Sequence, residues 1–174
     1  TLGVNYERVT VTATRTDKVP NTSPTAASSG TDINGMAAKA AAQELLNRLC
    51  NFLAEHFQVA RHQVSIANDQ VSVGDAYHGF AEMVQLAYMN RVQLSATGFY
   101  KTPDIHFDKT TGKGEPFYYY ACGAAVSEVI VDKFTGEYRV MRVDILHDVG
   151  DSINPVLDVG QIEGGFVQGR GWLT

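Results

Sequence analysis

From Lys18 to Gly35 the chain reads KVPNTSPTAASSGTDING. No large apolar side chain occurs between Asn21 and Asp32. Hydroxyl residues (Thr22, Ser23, Thr25, Ser28, Ser29, Thr31) alternate instead with Pro24, Ala26, Ala27 and Gly30. An Ala-rich helical run opens directly afterwards, near Ile33 or Asn34. Small hydroxyl residues and a glycine ahead of a helix leave closely spaced backbone N–H groups uncovered by bulk. That suits an anion such as phosphate or pyrophosphate, which gains from unpaired donors and from the positive end of the helix dipole. The same residues also fit a plain helix start, with Thr31 or Asp32 as N-cap and the remainder as loop. Local chemistry leaves both readings open.

Upstream, Glu7–Thr16 reads ERVTVTATRT, and its period-two alternation of β-branched residues predicts a strand. Downstream, Ala38, Ala41, Ala42, Leu45, Leu49, Phe52 and Leu53 recur at three- and four-residue spacing, predicting a long amphipathic helix over Ile33–Phe57. Val64–Val73 predicts two short strands around an Asn68-Asp69 turn. His78–Asn90 predicts a helix, Val92–Ala96 a strand, and Asp108–Gly114 a turn-rich loop. Phe117–Val131 and Glu137–His147 predict a long hairpin around Phe134-Thr135-Gly136. In Val156–Thr174 the glycines weaken helix propensity, yet Val159, Ile162, Phe166 and Val167 keep a helical rhythm. The fold class expected is α+β, mixed, with largely antiparallel sheets, a long amphipathic helix and a Gly-rich C-terminal helix.

The 174 residues suffice for a substantial core, and 44% hydrophobic with 19% charged residues is a globular composition. A formal net charge of −5 argues against non-specific nucleic-acid binding and against a polybasic membrane patch. No run approaches bilayer-spanning length. Cys50 and Cys122 lack CxxC spacing, which suits free thiols in a reducing cytoplasm. The chain starts at Thr1 and stops at Leu173-Thr174 within a helical rhythm, so an excerpt from a longer protein is expected.

Other chemistries find little support. Among the five histidines, His147 with Asp144, Asp148 and Asp151 is the best candidate metal cluster, but acids are common in such turns. A P-loop needs a Gly-Lys-Ser/Thr grip that the Gly-rich tail lacks. The strand–Gly-rich turn–helix unit of a dinucleotide fold and the Gly-x-Ser-x-Gly elbow of a serine hydrolase are missing too. No pair of carboxylates stands out as acid and base.

Three motifs in order, KVPNTSPTAASSGTDINGMAA, LSATGFYKTP and HDVGDSINPVLDVGQIEGGFVQG, carry a resemblance. Together they resemble the molybdopterin-binding region of the molybdenum hydroxylases, the family of xanthine dehydrogenases and aldehyde oxidases. PNTSPTAAS with TGFYKTP points to the xanthine dehydrogenase branch. The resemblance covers nearly the whole chain, so residues 1–174 are expected to be a fragment of the molybdopterin-binding domain. It implies an oxidoreductase hydroxylating hypoxanthine or xanthine towards urate at a molybdenum-pyranopterin centre bound without covalent attachment. An aldehyde oxidase-type fragment and a non-catalytic anion- or partner-binding module are the alternatives.

Carried over by position, Ala26 and Ala27 would line the molybdenum and substrate pocket. Ala27, Ser28, Ser29, Gly30 and Thr31 would contact the cofactor, with Gly30 offering only backbone donors where some relatives carry serine. Gln161, at the start of the Gly-rich helix, would reach the cofactor near the metal. No catalytic residue and no protein ligand to metal falls in this chain: the family's glutamate base lies in a Gly-Glu-Pro-Pro stretch absent here. The implied partners are the purine, the rest of the molybdenum domain and the domains or subunit carrying iron–sulfur clusters and FAD, in a dimeric cytoplasmic enzyme. No nucleic acid or membrane is implied, and the fragment alone is expected to be inactive.

Overall fold

The computed structural model describes residues 1–13, 15–17 and 29–173. They fall into two units, Thr1–Pro103 and Asp104–Thr174.

The first unit is built on helix α1, Met36–His56, entered through one turn of π-helix at Thr31–Gly35. The predicted apolar stripe divides in two. Leu49, Cys50, Leu53 and Ala54, all in the second half of α1, are buried, whereas Ala37 and Ala41 in the first half are only half-buried. The buried half packs on Val64, Val71 and Val73 of a small sheet and on Met83 and Ala87 of helix α2, Phe80–Met89. Each fully buried side chain of this kind contributes about 1.5–3 kcal/mol, so this cluster holds the unit together. The sheet is antiparallel in the order β1 (Val64–Ala67), β2 (Gln70–Val73), β3 (Ala76–Gly79). Asn68 (φ +51°) and Asp69 (φ +62°) both adopt the left-handed conformation of a two-residue hairpin turn, as their sequence suggested.

Three expectations fail in this unit. The predicted strand at Glu7–Thr16 is absent from the described residues: Tyr6–Arg8 form a 3₁₀ turn and Val9–Ala13 join no sheet. Asp69 captures this segment by other means. Its carboxylate accepts from the Asn5 amide (3.1 Å) and pairs with Arg8 (3.0 Å), while its own N–H donates to the Gly3 carbonyl (3.1 Å). His78, expected in a helix, lies in β3 opposite Val71 and stacks on Phe57 at 5.3 Å. The Gly74-Asp75 turn returns the chain to β2 first, and α2 starts only after Gly79. Val92–Ala96, expected as a strand, joins no sheet and is held by α1 instead.

The second unit contains two hairpins and a helix. β4 (His106–Asp108) and β5 (Lys113–Glu115) pair across the predicted loop, closed by Asp108, which accepts from the Thr110 amide (2.8 Å) and the Thr111 hydroxyl (2.7 Å). β6 (Gly123–Val131) and β7 (Tyr138–His147) form the predicted long hairpin, in register from Gly123↔His147 to Val131↔Tyr138 with a bulge at Glu128/Val129. Asp132 caps its turn by accepting from the amides of Phe134 (2.7 Å) and Thr135 (3.0 Å), and Gly136 supplies the positive φ. Helix α3 runs Pro155–Leu173. Proline suits a first helical position because its missing N–H is not needed there. Asn154 caps it, its side chain accepting from Leu157 (3.3 Å) and its carbonyl from Asp158 (3.0 Å). No described residue of this unit is buried. The architecture is the expected α+β with antiparallel sheets. Among the described residues no helix is long and apolar enough to cross a membrane.

Candidate cofactor-binding site

Of the predicted cofactor-binding residues, Ser29, Gly30 and Thr31 form the entry to α1, while Ala26, Ala27 and Ser28 lie outside the described residues. The Ser29 carbonyl accepts from the Ile33 amide (3.0 Å), which commits the chain to helical winding from this point. Gly30 is already helical (φ −62°, ψ −47°), and among the described residues no side chain caps this end. Thr31 and Asp32 sit inside the first turn, so neither is the N-cap that the plain helix-start reading requires. Donors at the head of a helix have no intrahelical acceptor by geometry. At Gly30, itself half-buried, a Cβ added to the backbone would meet no described atom within 4 Å, so no side-chain bulk covers this face. The π-helical turn that follows is an irregularity often associated with functional sites.

The donor set fits a pterin. Asp32, half-buried in the same turn, already complements part of the positive dipole end. The site therefore offers directional N–H and hydroxyl groups more than net positive potential. Such groups match the carbonyl and ring nitrogens of a pterin edge as well as a phosphate.

Two residues that sequence reasoning did not single out fix a segment along α1. Arg48 donates through Nη1 to the carbonyls of Gln93 (2.8 Å) and Ser95 (3.0 Å) and through Nη2 to Glu44 (2.9 Å). Further along, the backbone of Gly98 lies directly on α1. A Cβ there would fall on the Ala37 carbonyl oxygen and within 2.6 Å of the Ala41 nitrogen. Only glycine permits so close an approach. The run Gln93–Gly98 thus lies along α1 in the opposite direction. The available signal was the pairing of glycine in LSATGFY with alanines spaced four apart in the helix.

Gln161 belongs to the second unit. It lies inside α3, six residues after Pro155, rather than at the helix start, and its side chain is exposed. The start moves forward because Pro155 and the Asn154 cap begin the helix ahead of the glycines. Its neighbours Asp158, Val159 and Ile162 face Val143, Ile145 and His147 of β7 across a shallow groove of about 390 Å³.

The candidate metal cluster does not assemble. Asp144 pairs with Arg142 (2.7 Å), Asp148 accepts from the Gly150 amide (2.8 Å), and among the described residues no three His, Cys, Asp or Glu groups converge. Both cysteines are free thiols. Cys50 is buried, and that burial pushes its pKa up, partly offset by the charge of Arg61.

A family model described as "Molybdopterin cofactor-binding domain" matches residues 1–174. The chain is 44% identical over 164 residues to a xanthine dehydrogenase of Oryza sativa subsp. japonica, covering 94% of this chain and 11% of that protein. It is 42% identical over 173 residues to a xanthine dehydrogenase/oxidase of Gallus gallus, covering 99% of this chain and 11% of that protein. The chain therefore spans about a tenth of the length of these relatives. The fold is shared with a Cu,Mo-CO dehydrogenase (TM-score 0.63, 23% identity, 81% of this chain, 17% of that one). It is also shared with the quinoline 2-oxidoreductase of Pseudomonas putida 86 (TM-score 0.54, 24% identity, 71% of this chain, 16% of that one). A match over every residue, on a fold these molybdenum and heterocycle oxidoreductases share, places the chain in the molybdopterin cofactor-binding domain family.

Proposed function

We propose that the chain is one portion of a purine-hydroxylating oxidoreductase of the xanthine dehydrogenase type, supplying part of the grip on a molybdenum-pyranopterin. The observation that carries this reading is the helix entry at Ser29–Gly30–Thr31, without a side-chain cap among the described residues, in a chain 42–44% identical to xanthine dehydrogenases across nearly its whole length. When bound, that cofactor supplies the two-electron redox centre at which the purine is hydroxylated. The residues of this chain hold and orient it. Backbone N–H groups of Gly30 and Thr31 and the hydroxyls of Ser29 and Thr31 meet its polar edge. The family resemblance assigns Ser28 a cofactor contact and Ala26 and Ala27 the lining of the metal and substrate pocket, where two small side chains leave room for a planar substrate. Gln161, exposed on α3, is a further proposed cofactor contact through its amide. The proton-abstracting base comes from elsewhere in the enzyme, as do the iron–sulfur and flavin groups that take up the electrons. The setting proposed is a dimeric cytoplasmic enzyme, in which the two unbridged thiols remain reduced.

Metal analysis of the full-length protein, with pterin fluorescence after oxidation, tests the cofactor. Turnover of hypoxanthine against an aromatic aldehyde tests the substrate. Stoichiometric molybdenum and pterin with purine turnover is the expected result. Faster turnover of the aldehyde would move the protein to the aldehyde oxidase branch, and a metal-free, pterin-free protein would end the reading.

A further inference from the structure

The buried residues of α1 all lie in its second half, 14 residues or more beyond the end of the cofactor-binding turn at Gly35. The run from Gln93 to Gly98 lies along α1 from Arg48 back to Ala37. Arg48 holds the start of this strap through two carbonyls, and Gly98 seats it between Ala37 and Ala41. The geometry is self-consistent: from Arg48 to Ala37 is about 16 Å of helix, and from Leu94 to Gly98 about 13 Å of extended chain. Thr31 lies about 9 Å beyond Ala37, a distance that about three extended residues cover, so an extended course past Gly98 would bring Tyr100 and Lys101 level with the cofactor-binding turn. Tyr100 and Thr102 are half-buried, whereas Phe99 and Lys101 are exposed, so one side of this run is covered.

We propose that Arg48 is a positioning residue for this turn. It fixes the register of the strap on α1, and the strap backs the turn Ser29–Gly35 that offers its donors to the cofactor. Arg48 touches neither cofactor nor substrate. Its planar guanidinium bonds the strap carbonyls of Gln93 and Ser95 and the Glu44 carboxylate at once, which a lysine ammonium on a flexible stem does not reproduce in one fixed geometry. This inference rests on the molybdopterin reading above, deepening it to the support of the binding turn.

The test uses the intact full-length protein, with Arg48→Met and Arg48→Lys compared against Val71→Ala. The last removes core volume from a fully buried site remote from the strap. Two readouts are taken: molybdenum and pterin per chain, and amide hydrogen exchange over residues 29–35, 92–102 and 64–73. Arg48→Met is expected to lower cofactor content roughly tenfold, since it removes charge-assisted bonds that hold the strap. It should speed exchange in 92–102 and 29–35 together while leaving 64–73 protected. Arg48→Lys should fall between, and Val71→Ala should loosen 64–73 yet retain full cofactor. Full cofactor content with unchanged exchange at 29–35 in Arg48→Met would overturn the proposal. So would equal cofactor loss in Val71→Ala, which would make the effect one of general stability. If the wild-type protein carries no cofactor, the proposed function falls, and the exchange readout by itself decides whether Arg48 positions the turn.

Discussion

Replacing Gly30 by alanine separates the needs of the fold from those of a ligand. Gly30 has helical torsions (φ −62°, ψ −47°), and a Cβ there would meet no protein atom within 4 Å. For the polypeptide alone, alanine is the better residue: it removes unfolded-state freedom and is favoured in a helix by about 0.5–1 kcal/mol. That energy corresponds to a roughly two- to fivefold slowing of local amide exchange at the head of the helix. For a ligand lying against the Gly30 backbone, the same methyl group occupies the space of its nearest atoms. The added group then costs about 1–3 kcal/mol by overpacking, enough to weaken cofactor binding roughly 5- to 150-fold. The assay is exchange mass spectrometry over residues 30–37 of cofactor-free full-length protein, beside molybdenum and pterin content of protein made with cofactor supplied. Slower exchange with depleted cofactor is expected. Slower exchange with full cofactor would show that the ligand approaches another face. Faster exchange would show that the torsions at Gly30 are not those argued from.

Three further outcomes follow from individual residues. Gln161→Ala in the full-length enzyme should lower molybdenum content or turnover, because a lost bond to a buried polar group costs about 1–3 kcal/mol; unchanged values would leave Gln161 as the exposed helix residue it is in the second unit. Cys50, 1% exposed with its thiol pKa raised by burial, should resist alkylation in native protein and react only on unfolding, and peptide mapping that finds native Cys50 modified would contradict the packing of α1 on the sheet. Asp132 has its pKa lowered by the amides of Thr135 and Phe134, so the ionised carboxylate favours the folded turn above the unfolded value near 3.9, and that contribution disappears as pH falls through the depressed folded value. Amide signals of Phe134 and Thr135 should therefore hold steady to below about pH 4 and then shift together, whereas Asp132→Asn should show no such step.

Where residues were legible from sequence alone, the cause was local. The α1 stripe, the Asn68-Asp69 turn, the hairpin around Phe134-Thr135-Gly136 and the rhythm of the Gly-rich tail each follow from periodicity or from torsions that few residues tolerate. The motifs that place the chain in its family are likewise runs of neighbouring residues. Where sequence reading failed, a distant partner decided. ERVTVTATRT has the alternation of a strand, but a strand needs a sheet edge to bond, and the Asp69 carboxylate draws Asn5 and Arg8 into a different arrangement. Val92–Ala96 has β-forming residues, yet its carbonyls go to Arg48, about 45 residues earlier in the chain. The helix entry at Ser29–Thr31 was visible as a cluster of small residues. Which of them would cap it was not visible, because capping depends on the turn at which helical torsions begin, and here they begin one residue before Thr31. Local sequence determines which torsions are cheap. The tertiary structure alone decides which carbonyls, carboxylates and guanidinium groups meet, since those energies depend on approach in space across many residues of chain.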